Sequence, residues 1–209
     1  MGSVRTRVGV LISGRGSNML SLVRAAKGND FPAEIALVLA NREDAAGVEL
    51  ARAEGVEARV IAHKPFGRDR ASHEAAMAAA LDAAGVEVVC LAGYMRLLTP
   101  FLVQRYAGRM LNIHPSLLPS LPGLDTHARA LALGLKLHGC TVHLVTDIMD
   151  EGPILAQAAV PVLPGDSEDA LAARVLAQEH LLYPMALAHH LRGGQEHAPA
   201  GAALRNPAG

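Results

Sequence analysis

Tryptophan is absent from the 209 residues, and aromatic residues make up only 3% of them. Stacking platforms for single-stranded nucleic acid are therefore not expected, because they are built from aromatic rings. Neither charge is in excess: 19 Lys and Arg stand against 20 Asp and Glu, a formal charge of −1. Nucleic acid and anionic membrane call for a basic surface and are excluded as expected partners. No apolar run reaches the ~18–20 residues that span a bilayer. Residues 8–12, behind the first arginines, form too short a run for a signal-peptide core. Two cysteines, Cys90 and Cys140, are too few for a disulfide scaffold or a structural zinc site. These absences leave a soluble protein of a reducing compartment, expected in the cytoplasm; small-molecule partners are expected, and monomer and homodimer both stay open.

Short β-branched runs alternate with alanine-rich stretches through the first 115 residues. Strands are expected over residues 8–13, 35–40, 58–61, 86–92 and 109–114, with helices over 18–27, 44–54 and 68–84 between them. Apolar strands alternating with helices imply a parallel sheet covered on both faces. Residues 138–145 and 154–162 both read as strands with no helix between them, a hairpin or mixed-sheet extension. Asp166-Ser-Glu-Asp169 then supplies an N-cap and an acidic first turn for a long helix ending near residue 191. The expected architecture is α/β: one Rossmann-like sheet, parallel in its N-terminal part, with an antiparallel C-terminal extension. It forms a single domain over residues 1–192, followed by a flexible tail over 193–209.

Three segments carry candidate chemistry. Ser13-Gly-Arg-Gly-Ser-Asn18 lies between the first strand and first helix, where glycines allow close backbone approach and free helix amides suit a phosphate. Met19 stands at the place of the third glycine of a dinucleotide fingerprint, so a monophosphate fits better, and an ordinary strand-to-helix turn is the plain alternative. In Asn112-Ile-His-Pro-Ser116, Asn112 and His114 are two apart on a strand and share a face. Pro115 ends the strand there, at the carboxyl edge where open α/β sheets bind ligands. An amide and an imidazole converging at that edge can stabilise a developing oxyanion or move a proton, or else simply satisfy loop backbone. The turn Thr146-Asp-Ile-Met-Asp150-Glu-Gly-Pro153 holds two aspartates, either of which can serve only its own backbone. A carboxylate beside His114 would favour its imidazolium. His138 and His143 lie an odd number of residues apart, on opposite strand faces. No histidine shows a metal-ligand spacing, and no metal is expected.

Together these segments resemble the phosphoribosylglycinamide formyltransferases, folate-dependent enzymes of de novo purine synthesis. The resemblance runs in order from about residue 7 to 191. It is carried by Leu11-Ile-Ser-Gly-Arg-Gly-Ser-Asn18, Leu91-Ala-Gly-Tyr-Met-Arg96, Leu111-Asn-Ile-His-Pro-Ser-Leu-Leu-Pro119, Asp150-Glu-Gly-Pro-Ile154 and Gln178-Glu-His180 with Tyr183-Pro184. It implies transfer of the formyl group of 10-formyltetrahydrofolate, a co-substrate, to the amine of 5-phosphoribosylglycinamide, by direct attack through a tetrahedral intermediate. Asn112, His114 and Asp150 match the catalytic trio. Gly16, Ser17 and Asn18 match the phosphate contacts, and Glu179 a contact to the ribose hydroxyls. Arg70, Met95, Arg96, Leu97, Leu98, Asn112, Val145 and Asp147 match positions around the folate. Asp125 and Leu176 depart from the pattern. Formyltetrahydrofolate hydrolases and methionyl-tRNA formyltransferases resemble the same core. They typically add an N-terminal regulatory domain or a C-terminal β-barrel, for which about 190 core residues leave no room.

Overall fold

The computed structural model describes residues 5–193. The expected tail, beyond Gly193, lies outside the described residues. The chain runs β1 (Thr6–Ile12), α1 (Ser17–Ala26), β2 (Ala33–Ala40), α2 (Gly47–Ala53), β3 (Ala58–Val60), α3 (Arg70–Ala83), β4 (Val88–Leu91), α4 (Pro100–Arg105), β5 (Met110–His114), α5 (Thr126–Ala132), β6 (Leu137–Leu144), β7 (Ile154–Pro161) and α6 (Glu168–Leu191). Seven strands form one sheet in the order β3-β2-β1-β4-β5-β6-β7. Neighbours among β1 to β5 pair in parallel, while β6 runs antiparallel to β5 and to β7. The parallel part with an antiparallel extension is the architecture expected from the sequence.

Strand alternation divides the core between the two faces. Val8, Val10 and Ile12 pack with α1, α2 and α6, whereas Leu11 packs with Leu37, Leu39 and the α3 and α4 residues Met77, Leu81 and Leu102. Both faces are therefore dry, which is why these strands read as unbroken apolar runs. A third cluster, including Ala130, Cys140, Leu171 and Val175, seats α5 and α6 against the antiparallel end. The hydroxyl of the buried Tyr183 on α6 lies 3.0 Å from the carbonyl oxygens of both Leu91 and Leu111, tying the helix to β4 and β5. Both cysteines are free and buried, and burial pushes each thiol up to about 12. Among the described residues no helix is long and apolar enough to cross a membrane.

Several boundaries differ from the sequence reading. The second helix begins at Gly47 rather than near residue 44; the residues before it form a turn in which the Ala45 amide donates to the Arg42 carbonyl at 3.4 Å and Asp44 holds the Arg42 guanidinium at 2.6 and 2.8 Å. The expected start of α6 is found: Ser167 is the N-cap, accepting from the Ala170 amide at 3.2 Å, and Glu168 and Asp169 lie in the first turn. Asp166, just before the cap, binds Arg174 at 2.7–2.8 Å. The short helices α4 and α5 were not expected from periodicity. α4 opens with Pro100 in its first turn, and its Thr99 amide and hydroxyl donate to the buried Glu74 of α3 at 2.7 and 2.6 Å.

Candidate active site

After β1 the chain moves outward to β2 and β3, then returns to place β4 on the other side of β1. The connections leaving β1 and β4 thus diverge, opening a crevice at their carboxyl ends, the usual ligand position in such sheets. Two loops meet there. Ser13 donates its amide to the Gly93 carbonyl at 3.2 Å, and the Met95 amide donates to the Ser13 hydroxyl at 2.8 Å. Gly16 has φ +76°, and a Cβ there would lie 2.8 Å from the Gly47 Cα. Only glycine meets both demands. α1 has no side-chain cap, so the first-turn amides of Ser17 and Asn18 are open to a ligand. Asn18 Nδ2 donates to Glu179 Oε2 at 2.7 Å, joining α1 to α6. Burial raises the Glu179 carboxyl above its ordinary value, opposed by that hydrogen bond.

At the end of β5 a second group converges. His114, 7% exposed, has Nδ1 3.6 Å from Asp150 Oδ1 and Nε2 3.1 Å from the Leu121 carbonyl oxygen. Both ring nitrogens thus face acceptors. Asp150, at φ +60°, also accepts the Gly123 amide on Oδ2 at 2.8 Å. The tight turn that delivers Asp150 depends on Gly152, where a Cβ would sit 1.7 Å from the Leu144 carbonyl oxygen. Asn112 lies on the same face as His114, two residues earlier. The three residues picked out in the sequence are brought together, though they come from β5 and from the β6–β7 loop.

The segment after β4 is exposed and apolar at its rim. Met95 and Leu97 are 69% and 59% exposed, while Arg96 and Leu98 are half-buried and Leu98 packs on the α3–α4 cluster. Arg70, at the start of α3, reaches the Leu97 carbonyl at 3.5 Å. Val145 packs on the same cluster as Leu98, and its amide donates to the Met110 carbonyl. Asp147 is exposed and faces Gln104 of α4 at 3.4 Å, apart from the His114 group. Ile148, Met149 and Leu124 add exposed apolar surface on the adjoining loops.

Two residues of this region escape a linear reading. His143 pairs directly opposite Asn112 across β5 and β6; its Nε2 is 3.1 Å from Asn112 Nδ2 and 4.0 Å from Asp150 Oδ1. It does lie apart from His138, which instead meets His127 at 3.2 Å. Thr141 holds the loop after β5: its hydroxyl donates to the Ser116 carbonyl at 2.7 Å and accepts from the Leu118 amide at 3.0 Å. Only the strand register, which pairs 112 with 143 and 114 with 141, reveals either role.

An open α/β sheet with an uncapped helix N-terminus beside an Asn–His–Asp group has the form of an enzyme's active site. The chain belongs to the formyl transferase family, whose model matches residues 6–187. Within that family it is 46% identical over 178 residues to the phosphoribosylglycinamide formyltransferase of Escherichia coli, covering 85% of this chain and 84% of that one. The phosphoribosylglycinamide formyltransferase of Brucella melitensis has the same fold, with a TM-score of 0.87, 54% identity and coverage of 96% and 99%. A trifunctional purine biosynthetic protein of Homo sapiens is 43% identical over 183 residues, which are 88% of this chain but only 18% of the human one.

Proposed function

We propose that this protein transfers the formyl group of 10-formyltetrahydrofolate to the amine of 5-phosphoribosylglycinamide. The observation that carries the reading is the meeting of an uncapped α1 N-terminus and a clustered Asn112, His114 and Asp150 at one sheet edge. Gly16, Ser17 and Asn18 bind the phosphate, and Glu179 the ribose hydroxyls. Arg70, Met95, Arg96, Leu97, Leu98, Val145 and Asp147 surround the folate, an assignment supported by the exposed apolar rim. One formyltransferase domain spans residues 1–192, acting in the cytoplasm as a monomer or homodimer.

The substrate amine supplies the nucleophile, so no side chain needs to form a covalent bond. Its lone pair forms the new bond to the formyl carbon, and the carbonyl π pair moves onto oxygen. The Asn112 amide donates a hydrogen bond to that oxygen, joined by Nδ1–H of His114, which at 3.6 Å from Asp150 is not tied up in a hydrogen bond. The pair then returns to carbon as the bond to N10 breaks. The proton lost by the attacking amine passes through water, with Asp150 assisting, to N10. Alignment of two bound substrates supplies much of the rate, up to ~7–11 kcal/mol in favourable systems.

Incubation with 10-formyltetrahydrofolate, with and without the ribonucleotide, tests this reading. Tetrahydrofolate release that depends on the acceptor is expected. Equal release without acceptor would identify a hydrolase and overturn the proposal.

A further inference from the structure

Arg15 stands in the middle of the loop between β1 and α1, flanked by Gly14 and Gly16, and it is exposed. The backbone on either side is held firmly. Gly47 donates its amide to the Gly14 carbonyl at 3.0 Å, and Gly16 is pressed against the Gly47 Cα. The guanidinium itself engages no hydrogen bond or ion pair among the described residues. Most arginines of the chain are occupied: Arg24 holds Glu54, Arg42 holds Asp44, Arg105 holds Asp82 and Arg174 holds Asp166, while Arg68 and Arg96 share the unpaired state of Arg15 but lie away from the α1 N-terminus in the chain.

Its position makes the isolation more telling. The N-terminus of a helix carries partial positive charge and disfavours a cation. Here a full cation sits two residues before α1, whose first-turn amides have no side-chain cap. The one carboxylate the structure shows at that helix start, Glu179, is engaged by the Asn18 amide at 2.7 Å rather than by the Arg15 guanidinium. Around Glu179, the α6 residue that meets α1, the neighbouring positions on the helix supply no paired cation among the described residues. Val175 and Leu176 precede Glu179, a buried carboxylate, and burial lowers the pKa of His180 so that it is neutral near pH 7. A phosphate bound beside Glu179 meets a like charge there and needs a counter-charge from elsewhere.

We propose that Arg15 closes over the phosphate of the acceptor substrate, its planar fork taking the outer oxygens that the α1 amides leave free. The three-carbon stem gives the guanidinium the reach to do so from the loop. Arg15 thereby selects a phosphorylated acceptor over the bare riboside. The inference rests on the reading of this loop as the phosphate cradle.

Calorimetric titration with 5-phosphoribosylglycinamide, alongside steady-state kinetics, compares wild type with Arg15→Ala and Arg15→Lys. Arg15→Ala weakens ribonucleotide binding and raises its KM by roughly tenfold. It leaves kcat and the KM for 10-formyltetrahydrofolate unchanged. Arg15→Lys recovers part of the loss, because it restores charge without the fork. Glycinamide riboside, lacking the phosphate, is used equally by wild type and Arg15→Ala. The free variant melts no lower than wild type, since a disfavoured cation is removed from a helix N-terminus. Unchanged ribonucleotide affinity in Arg15→Ala, or an equal rise in both KM values, overturns the inference. Failure of the wild type to bind or formylate the ribonucleotide would instead bring down the underlying reading.

Discussion

Asn112 Nδ2 lies 3.1 Å from Nε2 of His143, its directly opposed partner on the neighbouring antiparallel strand. The other ring nitrogen, Nδ1, faces the Leu144 carbonyl at 3.0 Å and must donate to it. Nε2 is then an acceptor, and the imidazole dictates which end of the Asn112 amide turns toward it. Burial holds the His143 pKa below the ordinary value, which keeps the ring neutral and able to accept. His143→Phe should lower kcat about five- to tenfold with both KM values little changed, the cost of losing one neutral hydrogen bond. His143→Gln, whose side-chain oxygen can accept from Asn112, should recover most of it.

Asp150 serves two partners, His114 through one oxygen and the Gly123 amide through the other. Asp150→Asn keeps an acceptor for Gly123 but removes the charge beside the imidazole. Single-turnover measurements should find formyl transfer slowed by about 2–3 orders of magnitude, with the melting temperature nearly unmoved. Asn112→Ala and His114→Ala should lose a comparable amount, and near-normal turnover in either folded variant would remove that residue from the proposed site.

Glu179 is 6% exposed, and burial raises its pKa above the ordinary 4.5. The folded state therefore holds this proton more tightly than the unfolded chain, and ionising the group costs stability as the pH rises through that window. Glu179→Gln retains an acceptor for Asn18 while removing the buried charge. It should melt about 2–4 °C higher at neutral pH, a gain that vanishes near pH 4, and bind the ribonucleotide far more weakly. Scanning calorimetry across pH, with ribonucleotide titration, checks both halves.

His138 is buried against His127, with their ring nitrogens 3.2 Å apart. Desolvation, reinforced by His127 and His114, lowers His138 from 6.5 to about 4, and burial also lowers His127, with Glu168 opposing. The unfolded chain takes up protons that the native state refuses, so stability is full above about pH 6.5 and falls as the pH drops toward 4. The loss from His138 is on the order of 3 kcal/mol. Urea titrations at pH 7 and 4.5 should resolve it, and His138→Gln should flatten the slope.

Glu74 supplies both acceptors for Thr99 at the start of α4. Glu74→Ala should destabilise the fold by about 1–2 kcal/mol, the scale of a lost helix cap, and loosen the Met95–Leu98 segment that Thr99 follows. A raised KM for 10-formyltetrahydrofolate without a raised KM for the ribonucleotide is the expected signature. Glu74→Gln, which keeps an acceptor, should restore much of the stability.

Local pattern makes much of the fold legible from the sequence. Residues such as Val8, Val10, Leu37 and Val89 lie in strands buried on both sides, so their apolar runs were unambiguous. α4 and α5 were not, because helices of six and seven residues are too short to display a period. Asn112 and His114 could be paired from their spacing on one strand, and Pro115 marked where that strand stopped. His143 could not be attached to them, since nothing in the chain between 114 and 143 states the antiparallel register.

The sequence by itself determined an α/β sheet with a glycine-rich loop at α1 and an amide and imidazole side by side on β5. Those properties depend on residues close together in the chain, where backbone geometry alone sets which side chains share a face. Local chemistry left Asp147 and Asp150 alike, with only the resemblance favouring Asp150; tertiary structure sets Asp150 beside His114, brings Asn18 to Glu179 and lets His143 orient Asn112. Each of these contacts joins elements far apart in the chain. Each depends on strand order, register and the angle of a packed helix, quantities set by burial of the whole core rather than by any local run of residues.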